Sequence, residues 1–175
     1  MSHEIIFVTG GARSGKSTFA YNLANSMSSP RAYIATAEPL DEEMRERIKR
    51  HQEERGAGWD TIEEPIDLPG VFNRIRGKYI VVLVDCVTLW ISNLLHLYKN
   101  DEKDVMDDVE KLISVCAEID SRLIVVSNEV GMGIVPENRM ARLFRDISGK
   151  TNQRLGNIAS FVYLIISGLP VKIKG

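Results

Sequence analysis

The sequence predicts an α/β domain built on a mostly parallel sheet, and three observations carry that reading. Short β-branched runs alternate with longer helical patterns. Five of the runs, at residues 4–9, 32–36, 79–84, 122–127 and 161–166, are continuously apolar, as expected for strands covered on both faces. A glycine-rich stretch, VTGGARSGKST, follows Ile5-Ile6-Phe7 of the first run directly.

Helices fill the intervals. The first, 16–27, opens on the glycine-rich stretch. The second, 41–55, begins at Asp41 with two further acids in its first turn and stops at Gly56. Helices at 87–97 and 105–120 follow, separated by a polar loop at 99–104. The last, 138–157, carries Met140, Leu143, Phe144 and Ile147 at i, i+3, i+4, i+7. Ser167-Gly168-Leu169-Pro170 separates the fifth strand from a sixth at 171–174 so closely that an antiparallel hairpin is the natural connection. No repeat, low-complexity segment or linker divides residues 1–175, so one domain is expected, large enough to bury roughly 70% of its unfolded surface.

Composition narrows the function classes. With 22 basic and 24 acidic residues the net charge is −2, which gives no electrostatic case for nucleic acid or an anionic membrane. The N-terminal residues lack a basic segment and cleavage site of the secretory kind. The longest apolar runs, 79–84 and 161–166, are too short for stable membrane insertion. Cys86 and Cys116 have no metal-ligand spacing and read as buried thiols of a reducing compartment. A cytoplasmic protein is the expectation.

Gly10, Gly11, Ala12, Arg13, Ser14, Gly15, Lys16 and Ser17 fit G-x-x-x-x-G-K-[ST] without departure. Such a loop curls its N–H groups around phosphates, and the following helix adds the positive end of its dipole. Lys16 would reach the β- and γ-phosphates and Ser17 would ligate Mg²⁺. The fold class is therefore a P-loop NTPase, RecA-like, with helices flanking the sheet and a C-terminal antiparallel hairpin. Such a site also needs an acid for the metal or its water. Val81-Val82-Leu83-Val84-Asp85 ends an apolar strand on a carboxylate, at the sheet edge where open α/β folds bind ligands. Asp85 reads either as that acid or as a cap for the next helix. Ala37-Glu38-Pro39 should line the same edge, as a binding loop or as a plain turn.

His51 lies on the helix 41–55, which has only Met44 and Ile48 as apolar anchors and so belongs over an edge of the domain. On spacing alone it is either inert or a nucleophile, since a neutral imidazole can attack phosphorus to form a phosphoramidate. His3 and His96 are weaker candidates. A plain phosphoryl transfer needs no such covalent step.

Three stretches carry a resemblance. "VTGGARSGKS", "YIATAEPLDEEMRERIKRHQEER" and "SNEVGMGIVPENRMARLFRDISGKTNQRL" together resemble the bifunctional adenosylcobinamide kinase / adenosylcobinamide-phosphate guanylyltransferase family of cobalamin synthesis, over nearly the whole chain. The resemblance implies phosphorylation of the adenosylcobinamide aminopropanol hydroxyl by ATP or GTP. GMP is then transferred from GTP onto that phosphate, with release of pyrophosphate, through a GMP–histidine adduct on His51. It further implies catalytic roles for Lys16 and Asp85, and metal contacts at Ser17 and Asp85. Nucleotide contacts extend from the P-loop, Thr18 included, to Ala37, Glu38, Pro39, Gln52, Glu53, Glu54, Arg55, Glu63 and Asp85. A homotrimer is implied as well. Relatives vary between Asp and Glu at position 85, and some carry a second histidine where this chain has Arg50. Glu63 also reads as a solvated loop acid. Arg139, Arg142 and Arg145 either bind phosphates or pair with acids on a solvated face. The rival readings are a P-loop kinase for another small hydroxyl substrate and a RecA-like ATPase or GTP switch. The second would want a basic face, which the net charge opposes.

Overall fold

The computed structural model describes residues 4–38, 42, 45–46 and 58–175. Seven strands form one sheet in the order β3-β2-β4-β5-β1-β6-β7. In chain order these are β1 (Glu4–Gly10), β2 (Arg31–Ala35), β3 (Asp60–Glu63), β4 (Val81–Asp85), β5 (Arg122–Asn128), β6 (Phe161–Ile166) and β7 (Leu169–Lys174). All pairings are parallel except the last, β6 with β7. The described helices are α1 (Lys16–Asn25), α2 (Leu68–Ile75), α3 (Val87–Leu97), α4 (Glu102–Glu118) and α5 (Arg139–Ile158).

Side chains alternate across the strands and create two cores. Ile6, Val8, Leu83, Ile124 and Val126 pack with Ala20 and Ala24 of α1 on one face. Ile5, Phe7, Val84, Leu123 and Val125 pack against α2 to α5 on the other, around the fully buried Trp90. β1, β4 and β5 are buried on both faces as their continuous apolarity requires. β6 is not: Phe161, Tyr163 and Leu164 are half-buried and Ile166 is exposed, because only the fully exposed β7 lies beyond it.

Two elements are absent from the sequence reading. β3 reads Asp-Thr-Ile-Glu, and only Ile62 is partly buried, because the strand lies at the sheet's edge. α2 hides behind Leu68-Pro69-Gly70, which looks like a turn. Yet Asp67 caps it by accepting from Gly70 N at 2.9 Å, Pro69 sits in its first turn, and Leu68, Val71, Phe72 and Ile75 form a buried stripe. The hairpin is tighter than expected. Ser167 and Gly168, with φ of 52° and 83°, form a two-residue turn, and Leu169 and Pro170 already belong to β7. Pro170 is tolerated there because β7 is an edge strand. Asp101 and Asn138 cap α4 and α5. Of the expected helix 41–55, only Glu42, Arg45 and Glu46 are described. They are helical and exposed, and Arg45 pairs with Glu42 at 3.1 Å.

Candidate active site

The P-loop joins β1 to α1 at the carboxyl edge of the sheet. Gly10 is paired beside Ile165 so closely that an added Cβ would lie 2.5 Å from the Ile165 carbonyl oxygen. Only glycine fits there. Gly15, with φ of 93°, turns the chain into α1 and supplies no side chain to cap the helix, whose first N–H groups are left facing the loop. Two backbone bonds from neighbouring elements hold the loop. Glu129 N donates to Gly10 O at 2.9 Å, and Gly168 N donates to Ser14 O at 2.8 Å. The exit of β5 and the β6–β7 turn thus clamp the loop at both ends. Lys16 is buried, and its Nζ donates to Gly11 O at 3.0 Å. Ser14 Oγ is buried with no hydrogen-bond partner among the described residues, a polar group that the loop itself does not use.

Asp85 ends β4 and alternates onto the α1 face with Val81 and Leu83. Its Oδ2 accepts from the Tyr33 hydroxyl at 3.0 Å. It does not cap α3: the capping position is Cys86, and no side chain makes the cap bond. β5 separates β4 from β1, so the Asp85 backbone lies roughly 9–10 Å from that of β1. Burial pushes the Cys86 thiol up to about 12; the Asp85 carboxylate adds to the rise and the Lys16 ammonium opposes it. The P-loop cation and the strand-end acid therefore act on the same sulfur.

Thr36, just beyond β2, fixes the end of β4. Its buried hydroxyl accepts from Cys86 N at 2.9 Å and donates to Cys86 O at 2.8 Å. Asn93 of α3 donates to Thr36 O at 2.9 Å and to Pro65 O at 3.0 Å, which ties the ends of β2, β3 and β4 together. Ala37 and Glu38 follow on the same edge, half-buried, and Glu63 ends β3 opposite Ala35. Glu63, Ala37, Glu38, Asp85 and the P-loop thus share one edge. Pro39, His51, Gln52, Glu53, Glu54 and Arg55 lie outside the described residues.

Two arginines near the start of α5 bind backbone carbonyls. Arg142 donates to Pro136 O at 3.0 Å and to Glu137 O at 2.5 Å, and Arg145 donates to Gly131 O at 3.0 Å. Both hold the Gly131–Glu137 loop to its own helix. Arg139 is exposed. Sequence reasoning missed Tyr33, Asn93 and Glu129. Glu129 had a readable signal, because Leu-Ile-Val-Val-Ser-Asn-Glu repeats the pattern of an apolar strand ending in an acid. His96 lines a separate cleft of about 580 Å³ between α3 and α5, with Leu95, Met140 and Phe144, and no residue of the phosphate cradle is among its walls.

For Mg²⁺, the donors present fit. No cluster of three or more metal-ligating side chains occurs among the described residues, which excludes a cage built from them alone. One hydroxyl and one carboxylate, Ser17 and Asp85, are hard oxygen donors. They suit a cation that keeps waters and binds substrate phosphates.

A parallel sheet with a P-loop after β1 and an acid at the end of β4 defines a nucleoside-triphosphate-binding protein. Solved structures agree on the fold. The RadB recombinase superimposes with a TM-score of 0.56 at 14% identity over 93% of this chain and 74% of that one. The flagellar accessory protein FlaH from Methanocaldococcus jannaschii gives 0.52 at 15% over 98% and 78%. The family model described as cobinamide kinase / cobinamide phosphate guanyltransferase matches residues 6–173. The bifunctional adenosylcobalamin biosynthesis protein CobU of Escherichia coli K12 is 42% identical over 97% of this chain and 99% of the relative. CobP of Pseudomonas aeruginosa is 38% identical over 96% of both. The chain belongs to the cobinamide kinase / cobinamide phosphate guanyltransferase family and is an enzyme of adenosylcobalamin biosynthesis. No described helix is long and apolar enough to cross a membrane.

Proposed function

We propose that one domain performs both transfers of this family at one cradle, in the cytoplasm, with Lys16, Asp85 and His51 as its reactive centre. The observation that carries the proposal is the placement of the P-loop, Lys16 and Asp85 on a single sheet edge. In the kinase step the acceptor hydroxyl oxygen attacks the γ-phosphorus of ATP or GTP. The bond to the β-phosphate oxygen breaks, and the hydroxyl proton is lost. Lys16 and the N–H groups of the loop and α1 neutralise charge on the phosphates, which is most of what such a transfer needs. In the second step a His51 nitrogen attacks the α-phosphorus of GTP and pyrophosphate leaves. An oxygen of the acceptor's new phosphate then displaces the histidine, forming adenosylcobinamide-GDP. Mg²⁺ held by Ser17 and Asp85 would supply charge neutralisation for the triphosphate when bound.

Ala37, Glu38, Pro39, Gln52 to Arg55 and Glu63 are assigned to the nucleotide. Glu63 and the P-loop are four strands apart, roughly 19 Å. A nucleotide touching both must therefore lie extended along the edge. We also assign the chain to an oligomer, a trimer, in which a neighbouring subunit helps exclude water from the site.

The test is covalent labelling. GTP labelled at the α-phosphate should leave its label on the protein, and label at the γ-phosphate should not remain. The bond should be acid-labile and base-stable, because a protonated phosphoramidate nitrogen leaves readily. His51→Ala should abolish labelling and guanylyl transfer while much of the kinase activity survives, and Lys16→Ala should damage both. A His51→Ala protein that still labels places the nucleophile elsewhere. Light scattering at micromolar concentration should give a mass well above 19.7 kDa. A fully active monomer would defeat the trimer.

A further inference from the structure

The loop between β5 and α5 combines two properties that seldom occur together. It is pinned: Gly131 N donates to Glu129 Oε1 at 2.5 Å, Arg145 holds Gly131 O, and Arg142 holds Pro136 O and Glu137 O. Yet it presents its apolar side chains to solvent, with Met132 80%, Ile134 96% and Val135 59% exposed. A merely connecting loop would hide or lack such side chains, and clustered exposed apolar groups mark contact surfaces. The position is equally informative. Met132 and Glu129 form one wall of a cleft of about 350 Å³ whose other walls are Gly11 to Ser14 of the P-loop and Leu164 to Ser167.

We propose that the Met132–Ile134–Val135 tip is the docking surface for the corrin ring of the acceptor. The proposal rests on the functional reading above and deepens it. The cleft is at the small end of ligand pockets, which run ~300–1,000 Å³. It has room for the hydroxypropyl arm of a cobinamide and not for the macrocycle. A reacting arm at the phosphates obliges the ring to rest on the surface just outside. The tip supplies an apolar face there for a ring edge studded with methyl groups. A preorganised loop avoids the ordering cost that a mobile one would incur on binding.

The experiment compares the full-length protein with Ile134→Asp and Val135→Ser. Both side chains are exposed, and unchanged melting temperatures establish that the variants fold. The KM for cobinamide should rise about tenfold or more in Ile134→Asp, with the KM for triphosphate and the kcat of phosphorylation staying within about a factor of two. Equilibrium dialysis of the coloured cobinamide should show the same loss of affinity. A cobinamide KM and affinity equal to wild type overturn the proposal. So does a fall in oligomer mass by light scattering in step with the loss, which makes the tip a contact between copies of the chain. If the unaltered protein phosphorylates no cobinamide, the functional reading fails and this one falls with it. If it does so and the variants match it, only the loop assignment falls.

Discussion

The Tyr33 hydroxyl donates to Asp85 Oδ2 at 3.0 Å, across 52 residues of sequence, and so fixes one oxygen of the acid at the end of β4. Tyr33 is buried in turn beneath Trp59, with ring centroids 6.2 Å apart in an edge contact. Trp59 itself stacks on Tyr21 of α1 and donates from Nε1 to Asn25 Oδ1 at 3.0 Å. The orientation of the Asp85 carboxylate is therefore set from the α1 face.

If Asp85 organises Mg²⁺, Asp85→Asn should keep the shape and lose the charge. Both activities should fall steeply with the melting temperature unchanged. Near-normal turnover at saturating Mg²⁺ would remove Asp85 from the mechanism. Tyr33→Phe should act more mildly, costing about 1.5 kcal/mol of stability and raising the Mg²⁺ concentration needed for half-maximal turnover.

Thr36 satisfies both backbone groups of Cys86 from a fully buried position. Thr36→Val has nearly the same volume and leaves Cys86 N unpaired, at about 1–3 kcal/mol, while Cys86 O keeps its bond from Trp90 N at 3.2 Å. Thr36→Ser keeps the hydroxyl and should recover most of that loss. Urea denaturation of the two variants checks the difference; equal midpoints would show that the hydroxyl is not needed.

At Gly10 an added methyl meets the backbone oxygen of Ile165, which cannot swing aside as a side chain could. Gly10→Ala should destabilise the protein by about 1–3 kcal/mol and weaken nucleotide binding. Gly11→Ala is the control, because nothing lies within 4 Å of the built Cβ. Thermal melts with and without GTP separate the two outcomes.

Burial pushes both Cys86 and Cys116 up to about 12 from an ordinary 9.0. The folded state holds these protons more tightly than the unfolded state. Their contribution is fully present below pH 9 and declines as pH rises from about 9 towards 12. The loss is about 1.4 kcal/mol per pH unit for each thiol. Neither sulfur should react with a thiol reagent at pH 8 until the chain unfolds. Rapid modification of the native protein would contradict the burial.

Elements whose signals are local could be read from the amino-acid order. The P-loop was legible because glycine spacing, lysine and a preceding apolar run are all contiguous. β1, β4 and β5 were legible because strands buried on both faces are apolar throughout. β3 was not, since an edge strand exposes one flank and can be written Asp-Thr-Ile-Glu. α2 was obscured by Pro69-Gly70, although its cap and buried stripe were present in the letters. Pairings between distant residues emerged only from the folded chain: Tyr33 on Asp85, Thr36 around Cys86, Asn93 across two strand ends. Arg142 and Arg145 belong with these. Their charge was visible, but whether it met phosphates, acids or the carbonyls of their own loop depended on how the chain after β5 turned back. Periodicity and turn chemistry act over a few residues, whereas the partners of a polar side chain follow from strand order.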